Sequence, residues 1–315
     1  MRHFTPLLLI FSFLLAACGQ PRTAVPVVHT EQPVTATTTL VPPEPTATEP
    51  ALPTPLPPID HVTVFLAEQA FFEKLADDRG FHGVYVHELG SPDTATFNPD
   101  VQFHGASTIK LAIAVVTLKV AQERGWPIEE MIPNPRVQSK TIASLLRDMI
   151  VRHDDASTFF LIDFINGLGF NFDDELLKMG LLGFNVGNRL TTARGLGLLL
   201  EGLGNDSLGL FKNQFLVDLM AEDSIIDTAT FPWAVNNSLP GSYANIVGAI
   251  YGHDVTVPFY GNIKYVAADC GYWTTPEGRT FIVVFLGNYG TETDFVLNQN
   301  TIHDEVAILT QYFSK

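Results

Sequence analysis

Ser107 and Lys110, in Phe103-His104-Gly105-Ala106-Ser107-Thr108-Ile109-Lys110, are a pair with the types and spacing for acyl chemistry. A hydroxyl is a poor nucleophile until a neighbouring base takes its proton, and a lysine one turn further along a helix lies on the same face as the serine. The residues after the lysine decide its character. Leu111-Ala112-Ile113-Ala114-Val115-Val116-Thr117-Leu118 is apolar on every side, so the helix it predicts is buried all round. Burying an ammonium costs several kcal/mol unless it is paired or loses its proton, and desolvation lowers a lysine pKa. Lys110 is therefore a candidate base, with the N–H groups of a helix start close by. Taken alone, Ser107 could equally be an N-cap.

The elements that must position this pair can be read along the chain. Residues 1–17 combine Arg2 and His3 with an apolar run from Pro6 to Ala17, too short to span a bilayer and suited to a signal peptide. The run ends in Leu15-Ala16-Ala17-Cys18-Gly19, which resembles a bacterial lipoprotein signal with Cys18 as the lipid attachment point. Residues 18–58 are Pro, Thr, Val and Ala with about half of the 21 prolines, an extended tether rather than a core-forming segment.

A folded part is expected over residues 59–315. Its predicted elements are a helix over 63–75 and a hairpin of strands 83–89 and 94–97. The Ser107 helix, a helix over 139–151 and an apolar helix through Phe159 to Ile165 come next. Short helices are expected near 176–183 and from Thr191 or Thr192 to Leu203, then one over 211–220. Strands over 245–251, 264–272 and 280–286 precede a closing helix over 303–313. This is an α+β pattern, an antiparallel sheet with helices at both ends of the chain and a helical subdomain over roughly 106–222.

Composition removes several classes. A formal net charge of -16 argues against nucleic acid and against electrostatic attachment to anionic lipid. Two cysteines give no disulfide framework, and nine scattered histidines form no metal-binding motif, so neither a metal nor another cofactor is expected.

Three stretches together resemble the penicillin-recognising serine hydrolases, nearest the class A β-lactamase group, over Ile59 to Lys315. Phe103-x-x-Ala106-Ser107-x-x-Lys110 is similar to the family's nucleophile helix. Asp154-Asp155-Ala156 stands where the family has its Ser-Asp-Asn loop. Asn188 to Gly195 is similar to its Thr-Thr helix start. The resemblance implies a β-lactamase-like fold, Ser107 as the acylated nucleophile, Lys110 as its base, and the Ser107 N–H as half of an oxyanion hole.

It also implies a small-molecule or peptide substrate with a β-lactam or cell-wall-type carbonyl, outside the cell. The departures are specific. His153 replaces the loop serine and can still relay a proton. Asp155 replaces its asparagine, with N-capping of the next helix as the other role open to it. The family's Lys-Thr-Gly on the edge strand has no match. Counting along the chain points to Tyr260-Gly261 or Tyr251-Gly252, with Lys264 as the lysine that could substitute. Residues 182–187, where a deacylating glutamate is expected, hold no carboxylate. Without a base for water an acyl-enzyme turns over slowly. An alternative is therefore a cell-envelope binding protein that keeps this fold without turnover.

Overall fold

The computed structural model describes residues 56–314 apart from 77–79, 131–139, 231–238 and 259. The expected signal peptide, Cys18 and most of the tether lie outside the described residues. The helix α1 (His61–Leu75) begins after Asp60, whose carboxylate accepts the Thr63 N–H. The strands β1 (Phe81–Glu88), β2 (Thr94–Phe97) and the short β3 (Phe103–His104) come after it. A 3-10 turn at Ala106–Ile109 then leads into α2 (Lys110–Glu123).

The helical block continues with α3 (Ile142–Val151), α4 (Asp155–Gly167), α5 (Phe172–Lys178), β4 (Leu190–Thr191), α6 (Ala193–Gly204) and α7 (Asn213–Thr230). The chain closes with β5 (Ser242–Val257), β6 (Gly261–Thr274), β7 (Thr280–Tyr289) and α8 (Glu292–Phe313). Among the described residues no helix is long and apolar enough to cross a membrane.

Five strands form one antiparallel sheet in the order β2-β1-β7-β6-β5, so β5 is an edge strand. Successive side chains of a strand point to opposite faces, and both faces of this sheet are covered. Val84, Val86, Val283, Phe285 and Val247 pack with Val64, Phe71 and Leu75 of α1 and Leu309 and Phe313 of α8. Tyr85, Ile282, Val284, Cys270 and Ile246 pack on the other face with α2, α3 and α6. At the centre of that second layer, α2 is buried from Lys110 to Leu118 without a break, as its apolar run dictates.

Several boundaries differ from the sequence expectation, for local reasons. The helix expected near 176–183 is α5, displaced towards the N-terminus, because Asn171 caps it by accepting the Asp174 N–H and Gly180 ends it at φ 78°. Helix α7 continues to Thr230, ten residues past the expected end at 220, and so carries Asp223 beyond the expected helical subdomain. The hairpin β5–β6 is longer than expected at its tip, resuming its pairing at Val255 and Ile263 beyond an irregularity.

Candidate active site

Ser107 lies in the 3-10 turn, where side chains three apart eclipse one another, and Lys110 is the next residue to enter α2. The N-cap position of the turn belongs to Gly105, with no side-chain cap, so capping is not the role of Ser107. Ala106 sits at φ 46°, in the left-handed region that costs a non-glycine residue about 1 kcal/mol or more. It is held there from both sides. Its N–H donates to His104 Nδ1 at 3.1 Å, and the amide of Asn288 on β7 clamps His104, accepting its N–H at 2.9 Å and donating to its carbonyl at 3.2 Å. Burial, assisted by the charge of Arg189, pushes the His104 pKa down to about 4. The imidazole is then neutral and its Nδ1 free to accept.

Lys110 is 2% exposed. Desolvation is the largest influence on it and lowers its pKa, opposed by Asp155, whose Oδ1 lies 3.4 Å from Nζ, and by Asp223. Arg189 pushes in the same direction as burial. The carboxylate of Asp155 is available because Asp154, not Asp155, caps α4, accepting the N–H groups of Ala156 and Ser157 at 3.3 and 2.9 Å. Its neighbour His153 takes φ 50° and places Nε2 3.3 Å from Oδ1 of the fully buried Asp223.

Asp223 was not among the residues singled out from sequence. A signal for it existed: it falls three and four residues after Met220 and Leu219, on the buried face of α7. Among the described residues, five non-glycine residues have positive φ, and Ala106, His153 and Arg189 are three of them. Such strain concentrates at functional sites because only an over-determined surrounding holds it.

The edge strand meets the nucleophile at Gly248. A β-carbon there would overlap the Ser107 nitrogen and come within 2.9 Å of the Ala106 side chain. Tyr260, by contrast, is in the β5–β6 turn, where it stacks on Phe81 with ring centroids 3.7 Å apart, and Gly261 opens β6 opposite Val257. Lys264 is exposed on β6 with its ammonium 3.7 Å from Asp254. Ser107, Lys110, Asp155 and His153 are thus gathered in one place, together with His104, Asp223, Arg189 and Gly248, which sequence reasoning missed. The loop over 182–187 is tied to α5 by the Val186 N–H donating to Asp173 at 2.8 Å.

Chemically, this is a serine one turn from a desolvated amine, with an imidazole backed by a buried carboxylate nearby. Solved structures carry the same fold. The TLA-1 extended-spectrum beta-lactamase is 17% identical with a TM-score of 0.66, over 80% of this chain and 100% of that one. A class A beta-lactamase from Bacteroides cellulosilyticus is 17% identical with a TM-score of 0.64, over 80% and 98%. PBP-A is 19% identical with a TM-score of 0.60, over 82% and 99%. No curated protein matches the chain. Residues 68–311 match the sequence pattern of the Beta-lactamase enzyme family, and on that span the chain belongs to this family.

Proposed function

We propose that this protein is a serine acyl hydrolase that acts on an amide, ester or lactam carbonyl and is acylated at Ser107. The observation that carries the reading is the buried Lys110 amine, one turn from Ser107 and depressed in pKa chiefly by desolvation. Asp155 and Asp223 offset the burial of this amine only in part, and a perturbed buried amine beside a hydroxyl is a mark of a functional site.

In the forward step the neutral form of Lys110, which burial favours, takes the Ser107 Oγ proton on Nζ while Oγ attacks the carbonyl carbon. The developing oxyanion is met by the Ser107 N–H. As the tetrahedral adduct collapses, His153 hands a proton to the leaving nitrogen or oxygen, and Asp223 holds its imidazole in orientation. Water then cleaves the acyl ester, giving one proton to the now deprotonated His153 while Lys110 returns its proton to Ser107 Oγ as the acid product leaves. With no carboxylate in residues 182–187, that second step is slow and the acyl-enzyme accumulates, as in a penicillin-binding protein.

The site works outside the cytoplasm, the chain being held to the membrane by lipid on Cys18 and kept away from it by the Pro/Thr-rich tether. An acyl chain contributes about 0.8 kcal/mol per buried methylene, so a diacyl anchor suffices without a transmembrane helix.

Intact-mass measurement after incubation with benzylpenicillin and, separately, with a fluorophosphonate tests the reading. A stable adduct that Ser107→Ala abolishes is expected with at least one reagent. Absence of any adduct with both would favour the non-catalytic binding protein of the same fold.

A further inference from the structure

The face of β5 that meets the nucleophile turn has no cation to offer a substrate. Ala244, Ile246, Gly248 and Ile250 share that face by the two-residue pleat. Lys110 is buried against Asp155, and Lys264 is out on the hairpin beside Asp254. Arg189 is different. Its carbonyl accepts the Gly105 N–H at 2.9 Å, tying its backbone to the residue that opens the nucleophile turn, and it holds φ 55°. A bulky side chain in that conformation is costly and is kept where the surroundings impose it.

The guanidinium is 32% exposed and its carbon lies 5.5 Å from the Phe159 ring centroid, within cation–π range. Its distance to Asp155 Oδ1 is 3.7 Å, too long for a hydrogen bond, so Asp155 balances its charge without filling its donor fork. Its field reaches His104 and Lys110, on either side of Ser107 in the chain.

We propose that Arg189 is the anion-recognition residue of this site, its fork receiving the carboxylate of an anionic acyl donor whose carbonyl is presented to Ser107. The inference rests on the acyl-transfer reading of Ser107. A carboxylate accepts two parallel N–H bonds from a guanidinium, which fixes orientation as well as charge.

Binding without acylation separates the two claims. In Ser107→Ala, calorimetric titration compares benzylpenicillin with its methyl ester, which differs only in the masked carboxylate. The free acid is expected to bind about 10- to 100-fold more tightly than the ester, the range for a charge-assisted hydrogen bond. Adding Arg189→Gln should reduce that ratio to near one, and Arg189→Lys should restore part of it while losing the bidentate geometry. Equal binding of acid and ester, a preference unchanged in Arg189→Gln, or no binding of either would overturn the proposal. A preference for the acid with no adduct in the native protein would retain Arg189 and remove the acyl-transfer reading. An adduct without the preference would do the reverse.

Discussion

Lys110 and His104 flank the nucleophile with two bases whose protonation burial works against. For Lys110, desolvation outweighs the attraction of Asp155, so the folded chain holds this proton less firmly than the unfolded chain does. The charged amine therefore costs stability at neutral pH. Lys110→Met, similar in length and without charge, should raise the melting temperature by a few degrees while acylation falls about 10²- to 10⁴-fold, the scale of a lost general base. Thermal melts alongside adduct formation check both; a large drop in melting temperature would make Lys110 a structural donor instead.

His104 gives a sign for acid stability. Its folded pKa of about 4 lies below the ordinary value of 6.5, so between those values the unfolded chain binds the additional proton. Stability must then fall as pH drops through that window, by about 3 kcal/mol at pH 4. In His104→Gln, which keeps an acceptor for the Ala106 N–H, urea denaturation at pH 7 and pH 4.5 should show a shallower loss than the parent.

At the scale of elements, the site depends on how close β5 comes to the 3-10 turn. Gly248→Ala should lower acylation about 10²-fold and stability by about 1–3 kcal/mol, because the new β-carbon collides with the Ser107 backbone and the strand or the turn has to move. Gly167→Ala, at the end of α4 with nothing within 4 Å of the added carbon, is the control, expected neutral or stabilising by up to about 1 kcal/mol. Adduct kinetics and melts of the two variants would separate the local clash from a general intolerance of alanine.

The same contact shows what was legible in the sequence and what was not. Helix α2 announced itself because a run apolar on all sides needs no partner to be read as buried. The hairpin of β1 and β2 and the Thr192 cap of α6 were equally local. Gly248 was not legible, since its contribution is the lack of a side chain, and a lone glycine in a strand says only that some backbone approaches closely. Counting along the chain points instead to Tyr260-Gly261 or Tyr251-Gly252, and Gly252-His253-Asp254 interrupts the apolar alternation of the strand. The backbone ladder, which does not require apolar side chains, continues past that interruption. Asp223 and Arg189 are brought to the site from α7 and from beside β4, distances along the chain that no window of sequence spans.

For the whole molecule, charge sets how a substrate arrives. The formal net charge of -16 creates a negative field at long range, against which the Arg189 guanidinium is a short-range exception. Acylation by an anionic donor should therefore speed up as ionic strength rises from about 10 mM to about 150 mM, where the screening length shortens from about 30 to about 8 Å. An uncharged ester should be indifferent over the same range, and paired rate measurements with the two donors check the difference. A salt dependence shared by both would point to a change in the fold rather than in the encounter.

The unbroken burial of α2 from Lys110 to Leu118 has a further consequence. This stretch cannot be freed while its neighbours stay in place, so its amides belong to the last unit to open, exchanging with deuterium only when the whole domain unfolds. A partly opened molecule that had lost α1 or the tip of the β5–β6 hairpin would still react at Ser107, whereas one without its core would not. Covalent labelling at this one hydroxyl therefore counts molecules with an intact core, and a pulse of reagent during denaturation reads out the surviving fraction directly.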